Sequence, residues 1–485
     1  MTKVPVLKNY IDGEWVASES EKTRDVVNPA TGEIIAKVPM STQQETNEAI
    51  AVAKKAFEKW RRTIPITRAR YFFELKNLME KNFEDLARCV VTENGKVLDE
   101  ARGEVRRGIE CVEVASGIPS LMMGTNSEDI AVGMDEILIR QPIGVFFSLN
   151  PFNFPNMVPL WSLPFAVAVG NTYIVKPSSQ APMSMVKFFE IIDELDLPPG
   201  VVNLVCGGED VANTLLDSPD TRGVSFVGST PVAKMVYARA GQHGKRASVQ
   251  GGAKNFLLVM PDADLERTAA ALMTSCYGCA GERCLAGAVI LTFEEIHEPL
   301  KKLLIEKARA IRIGNGLEEG VQMGPLISAK ARETVLRYIN KGIEEGAKLL
   351  LDGRNIKVKG YPNGFFVGPT IFDDVTPKMV IAKEEIFGPV MALMKVKSFD
   401  HALDIIHANP FGNASSIFTS SGKWAREFQY RIQAGNVGIN IGIAAPVANF
   451  PFAGMKDSFF GDLHGQGEDS IRFFTDSKVV ITRWF

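Results

Sequence analysis

From Gly144 onward the chain alternates short apolar runs with helical stretches, a pattern that restricts it to parallel sheets joined by crossover helices. Gly144-Val145-Phe146-Phe147-Ser148-Leu149, Thr172-Tyr173-Ile174-Val175 and Val201-Val202-Asn203-Leu204-Val205 are too short and too uniformly apolar for surface helices. They read as strands buried on both faces. Met183 to Asp193, between two of them, has helical spacing. A second block of the same texture starts near Asn255. There Phe256 to Met260 reads as a strand, Asp264 to Met273 as a helix capped by Asp264, and Ala288 to Leu291 as another strand. Leu300 to Ile311 follows as an amphipathic helix with a solvated charged face.

Outside these blocks the texture changes. The segment before Met123 reads mainly as helices, over Thr42 to Trp60 and Tyr71 to Val91. The longest apolar stretch, Met157 to Val175, is interrupted by Pro159, Pro164, Gly170 and Asn171, which suits a buried strand and turn and not a spanning helix. Glu128 to Gln141 alternates loosely. Lys478 to Arg483 is strand-like and is expected to pair either with that segment or with another subunit. A chain of 485 residues exceeds one core, so two α/β domains with a small β appendage are expected.

Composition narrows the function classes. Hydrophobic residues at 46% and charged residues at 23% are ordinary for a globular chain, and a net charge of −3 gives no reason to expect nucleic acid or a membrane as partner. Met1-Thr2-Lys3-Val4-Pro5 opens no apolar signal region. Six cysteines over this length are no disulfide framework, so a reducing, cytoplasmic setting is expected. Cys276 and Cys279 lack evident further ligands and read as core residues, and no metal is expected.

Several residues carry chemical potential. No G-x-G-x-x-G run is present; the nearest analogue is Phe226-Val227-Gly228-Ser229-Thr230, between a strand and a helix, either a phosphate cradle or a plain turn. Lys176 ends a strand, where it either meets a ligand's ribose or phosphate or simply caps the strand. Asn153, in Pro151-Phe152-Asn153-Phe154-Pro155, is held stiffly by two prolines, as an oxyanion donor or as a loop bond. Cys284 lies in a glycine-bearing loop past the helix from Asp264, as a nucleophile or as packing. Arg107 and Arg283 either grip a carboxylate or pair on the surface.

Together these segments resemble the aldehyde dehydrogenase superfamily over nearly the whole chain. Asn28-Pro29-Ala30-Thr31-Gly32-Glu33, Pro151 to Pro155, Lys176-Pro177-Ser178, Phe226 to Thr230, Cys284, Glu384 to Pro389 and Gly438-Ile439-Asn440 follow in that family's order. Within it, Asn150 to Asn156, Gly252-Ala253-Lys254-Asn255, Gly281-Glu282-Arg283-Cys284 and Pro451 to Gly461 resemble the CoA-acylating, methylmalonate-semialdehyde dehydrogenase branch. The resemblance implies a Rossmann-type dinucleotide-binding domain (residues 1–123 and 142–249), an α/β catalytic domain (250–440) and a small β oligomerisation segment (124–141 and 463–485). It implies a homodimer or homotetramer.

By the same resemblance Cys284 is the nucleophile, and Asn153 with the Cys284 N–H forms the oxyanion hole. Lys176 holds the adenosine ribose, Gly228 and Ser229 the pyrophosphate, and Glu385 the nicotinamide ribose, with Phe152 and Phe387 packing beside the cofactor. Gln250 stands 34 positions before Cys284 (250 to 284), where hydrolytic members carry a glutamate base. The implied chemistry is NAD-dependent oxidation of methylmalonate or malonate semialdehyde through a cysteine thioester. Its acyl group passes to CoA with loss of CO₂, giving propionyl-CoA or acetyl-CoA, and Arg107 and Arg283 hold the substrate carboxylate. The alternative is hydrolytic, NAD(P)-linked oxidation to a carboxylic acid. Three positions depart from the family pattern. Ser179 replaces a ribose-binding glutamate, which predicts tolerance of NADP; Ala233 replaces a common glycine; and Phe256 replaces a histidine frequent in this branch, for which no chemical reason is evident.

Overall fold

The computed structural model describes residues 4–485, so the reading of Met1 to Lys3 lies outside the described residues. Five parallel strands form the centre of the first sheet in the spatial order Val202–Leu204, Thr172–Lys176, Val145–Leu149, Thr221–Val227, Arg246–Gln250. Asn9–Ile11, with Glu14–Val16 outside it, closes one edge and Phe459–Gly461 the other, all antiparallel to their neighbours. The strand order reverses at Val145–Leu149, which makes its carboxyl end a topological switch point and a natural ligand crevice.

A second sheet of seven strands runs parallel from Thr370–Asp373 through Val390–Lys395, Gly287–Thr292, Asn255–Val259 and Ala414–Phe418 to Asn436–Ile439, with Lys348–Leu351 antiparallel at its edge. Each sheet's apolar strands are covered by helices and have their own buried core. A third sheet is antiparallel: Thr475–Arg483 pairs with Met134–Pro142, which pairs with Thr125–Ala131. The terminal strand therefore pairs with the 128–141 region of its own chain. The preceding helix Gly467–Phe473 belongs to the first core, into which it buries Ile471, Phe473 and Phe474.

Three expectations are corrected. The amino-terminal region is not mainly helical until Gln43; Asn9–Ile11 with Glu14–Val16, and Thr23–Val27 with Ile34–Pro39, form two hairpins. The first turns on Asp12-Gly13, both at positive φ (56° and 81°), an Asp-Gly hairpin signal that the helical periodicity further on overshadows. Met157 to Val169 forms two short buried helices, Met157–Leu160 and Leu163–Val169, before the strand Thr172–Lys176. Pro164 sits in the first turn of the second, where its missing N–H costs nothing, and Gly170 ends it in the left-handed region. The helical region Tyr71 to Val91 is divided at Asn82 between Pro65–Lys81 and Phe83–Asn94.

Candidate active site

Cys284 is half-buried on a turn that follows the helix Leu265–Tyr277. Three successive residues before it are left-handed: Cys279 (φ 51°), Ala280 (φ 51°) and Gly281 (φ 76°). That conformation costs a non-glycine residue roughly 1–2 kcal/mol. The Cys279 N–H is held by Glu100 Oε1 at 2.7 Å, which anchors the turn. A Cβ on Gly281 would collide with the Gly388 carbonyl, so only glycine lets the Cys284 loop close on the Glu384–Gly388 segment. The Cys284 carbonyl accepts from Asn255 Nδ2 and Asn413 Nδ2, both at 2.8 Å, which fixes the peptide carrying the thiol. Burial and then the Glu385 carboxylate push the thiol up to about 12, while Arg283 pulls the other way. In the free protein Cys284 is therefore a protonated thiol that needs a further positive charge or ligand contact to ionise.

Asn153 is buried and its Nδ2 donates to the Glu282 carbonyl at 3.1 Å, joining its loop to the Cys284 loop. That loop is braced from the helical layer. Lys96 Nζ donates to the Asn153 carbonyl and to Glu104 Oε2, both at 2.6 Å, and neither member of the ion pair is exposed. Glu104 Oε1 accepts the Asn156 N–H at 2.8 Å, Asn94 Nδ2 donates to the Phe152 carbonyl at 3.0 Å, and the Lys96 ammonium lies 3.8 Å from the Phe154 ring centre.

Cys284, Arg107 and Arg283 line one cavity of about 250 Å³, walled by Phe154, Trp161 and Phe452. Arg283 is engaged by Cys279 Sγ at 3.2 Å and Glu100 at 3.7 Å; Arg107 pairs with Glu110 at 3.0 Å on its own helix. Gln250 is buried and donates from Nε2 to the Phe452 carbonyl at 3.0 Å, and its Oε1 has no partner. Phe452 stacks on Trp161 at 4.4 Å, so Gln250 holds the cavity wall.

A second group of residues fits a dinucleotide. Ser229 precedes the helix Thr230–Gln242, makes no capping bond, and no acidic side chain occupies that helix's first turn; its N–H groups and dipole are open to an anion. Lys176 Nζ donates only to the Pro177 carbonyl at 3.0 Å and is pushed down to about 8 by burial. Ser179 Oγ accepts from Arg24 Nη1 at 3.0 Å. Glu385 is pushed up to about 7 by burial, against the opposing pull of the Ala253 N–H and Lys254. Lys254 is buried with its Nζ unpartnered and is pushed down to about 8. Phe387 is left-handed (φ 57°) and meets Phe152 edge to face at 5.9 Å. Elsewhere, His297, Glu298 and Asp373 come together, but the Lys301 ammonium already bonds both carboxylates and offsets half their charge.

A doubly wound sheet with an open helix start after one of its strands, and a half-buried cysteine in an apolar cavity, fit a dinucleotide-dependent dehydrogenase, and the comparisons agree. The aldehyde dehydrogenase family model matches residues 15–480, and the chain belongs to that family. It is 48% identical over 484 residues to malonate-semialdehyde dehydrogenase 2 of Bacillus mycoides (strain KBAB4), each chain covered in full. The methylmalonate-semialdehyde dehydrogenase of Oceanimonas doudoroffii superposes with a TM-score of 0.98 at 40% identity, over 99% of both chains. The NAD⁺ complex of an aldehyde dehydrogenase from Bacillus cereus superposes at 0.94 with 30% identity, over 98% of this chain and 96% of that one.

Sequence reasoning missed the supports. Glu100, the Lys96–Glu104 pair, Asn413 and Arg24 belong to no motif, and their partners lie from 8 to 179 positions away. Asn255 alone stood within a quoted motif.

Proposed function

We propose that this chain oxidises malonate semialdehyde and methylmalonate semialdehyde with NAD through a thioester on Cys284, and passes the acyl group to CoA. The observation that carries the reading is Gln250. An amide cannot accept a proton from water, and this one is already committed to the Phe452 carbonyl. Removing a general base forfeits about 10²–10⁴-fold in rate for water, whereas a thiol such as CoA is partly ionised near neutral pH and attacks unaided.

The residues divide the work. The Cys284 thiolate adds to the aldehyde carbon, and Asn153 Nδ2 with the Cys284 N–H donates to the oxygen that gains charge. NAD supplies the hydride acceptor when bound, held by Gly228, Ser229, Lys176 and Glu385 with Phe152 and Phe387 packed beside it. The thiol of CoA, as co-substrate, displaces Cys284 from the acyl carbon. The substrate carboxylate, gripped by Arg107 and Arg283, leaves as CO₂ and the carbon takes up a proton, giving acetyl-CoA or propionyl-CoA. Ser179, in place of a carboxylate, and Arg24 beside it favour tolerance of NADP. Six free cysteines suit a cytoplasmic enzyme. Exposed Val132, Val479, Ile481 and Trp484 on the 124–141 and 463–485 segments suit a homodimer or homotetramer.

Hydrolysis has one observation in its favour: Glu385 is a half-buried carboxyl pushed up to about 7, and its charge bears on Cys284. Following NAD reduction by malonate semialdehyde with and without CoA, while assaying acyl-CoA, separates the two. Dependence on CoA with acetyl-CoA formed supports acylation; full turnover to acid without CoA refutes it.

A further inference from the structure

Gln466 is the residue that neither the fold nor the reaction accounts for. It precedes the short helix Gly467–Phe473 at φ 68° and ψ 169°, a region that side chains other than glycine's scarcely visit. Its backbone is held there from three sides: its N–H reaches the Trp161 carbonyl at 3.3 Å, its carbonyl takes the Ser470 N–H at 3.2 Å, and the next N–H reaches the Ala448 carbonyl at 3.0 Å. Its side chain does not cap the helix. The amide is instead carried into the wall of the cavity that holds Cys284, Arg107 and Arg283, only 4% exposed, with Oε1 lacking any hydrogen-bond partner. A half-turn of an amide exchanges its oxygen and nitrogen in place, so an unsatisfied polar end remains whichever way it faces.

A strained position and an unsatisfied amide are both costs, and together they mark a ligand contact. The chemistry of the cavity says which. Both arginines already have carboxylate neighbours, Glu100 at 3.7 Å from Arg283 and Glu110 at 3.0 Å from Arg107. An anionic substrate entering here needs a donor with no anion of its own, because a desolvated carboxylate must have its lone pairs satisfied. Phe452 and Phe154 supply none, which leaves the Trp161 indole N–H and the Gln466 amide as the uncharged donors of the wall.

We propose that Gln466 is a specificity-determining residue of the aldehyde cavity, whose side-chain amide donates a hydrogen bond to the substrate's carboxylate beside Arg283 and Arg107. This rests on the reading of the substrate as a short semialdehyde acid. Gln466→Met keeps the length and the backbone strain and removes the amide; Gln466→Glu sets a second carboxylate against the first. With the intact enzyme, NAD and CoA, kcat/KM is measured for malonate semialdehyde and for propanal, and the ratio compared across variants of equal thermal stability. The expected result is a fall in the ratio of at least about tenfold for Gln466→Met, mainly through KM, and a deeper fall for Gln466→Glu. Ratios unchanged from wild type, with both substrates affected alike, would overturn the assignment and leave Gln466 a wall residue. A wild-type enzyme with no preference for the semialdehyde would instead overturn the substrate reading, and the assignment with it.

Discussion

Replacing Gln250 by glutamate tests whether the missing base is what commits the acyl group to a thiol. The substitution is nearly isosteric, so cavity shape and the thiol are retained. In the wild type, Gln250 Nε2 donates to the Phe452 carbonyl at 3.0 Å from a position 5% exposed. An ionised glutamate would set an oxygen against that carbonyl in a dry site, and only the protonated acid can donate to it. Both effects raise the carboxyl's pKa above the ordinary value of about 4.3. The base is therefore available only at the alkaline end. CoA-independent NADH formation should rise by about 10²-fold at pH 8.5, the lower end of a general base's worth, and much less at pH 6.

The same titration has a stability signature of fixed sign. The folded-state pKa of the new carboxyl lies above its unfolded value, so the unfolded chain releases the proton first. The variant loses stability as pH climbs from the unfolded value through the folded one. Its melting temperature should match wild type near pH 4.5 and fall behind as pH rises to 8. CoA-independent turnover that stays at the wild-type rate at pH 8.5, in a variant that remains folded and still acylates CoA, would refute the view that Gln250 is what withholds water.

Three further outcomes follow from the site. Lys96→Met breaks a fully buried ion pair and should cost about 3 kcal/mol in denaturant titration, the low end for such pairs because Glu104 keeps the Asn156 N–H; a loss below about 1 kcal/mol would mean that water enters the site. Glu385→Gln removes the charge that helps raise the thiol, so alkylation of Cys284 by iodoacetamide should quicken by at least about threefold at pH 8. The gap should close at pH 6, where the wild-type carboxyl, at about 7, is itself protonated; an equal gap at both pH values would exclude the electrostatic cause. Arg24→Leu should raise KM for NADP at least about tenfold more than KM for NAD, because only the former carries a 2′-phosphate for the guanidinium to meet; equal rises would place Arg24 outside the cofactor site.

Much of the site was legible because it sits at strand ends. A buried parallel strand announces itself as an apolar run, and the residues just past its carboxyl end are the ligand positions. Lys176 and Gly228 are read that way, Asn153 from the two prolines around it and Gln250 from its spacing to Cys284; the structure sets them at or just past the ends of Thr172–Lys176, Thr221–Val227, Val145–Leu149 and Arg246–Gln250. What stayed hidden were the contacts that hold these residues still. Lys96 reads as a surface lysine until the fold buries it against Glu104, and nothing local in Asn413 tells that its amide grips the Cys284 carbonyl. Asp12-Gly13 was legible and was passed over, because three-residue strands carry too little periodicity to compete with the helices that follow.

The distribution of unsatisfied groups shows why the support and the ligand surface are separate sets of residues. Around Cys284 and Asn153 the buried carbonyls are over-provided with donors, from Lys96, Asn255 and Asn413, and this rigidity keeps the two residues in register, as the proposed roles of nucleophile and oxyanion donor require. Buried polar side chains without a partner are otherwise few in a native fold, and each needs a reason. Here Gln250 braces the wall of the reaction cavity, Gln466 lines it, and Lys254 lines the pocket beside Glu385 and Phe387. Asn156, Ser184 and His407 also carry unpartnered buried atoms but line neither space, so it is the position of Gln466 and Lys254 in a cavity wall that sets them apart. Gln466 lines the cavity of Cys284 and Lys254 the pocket of Glu385, so substitutions at these two should change ligand preference, whereas substitutions at Lys96 or Asn413 should change stability and kcat together.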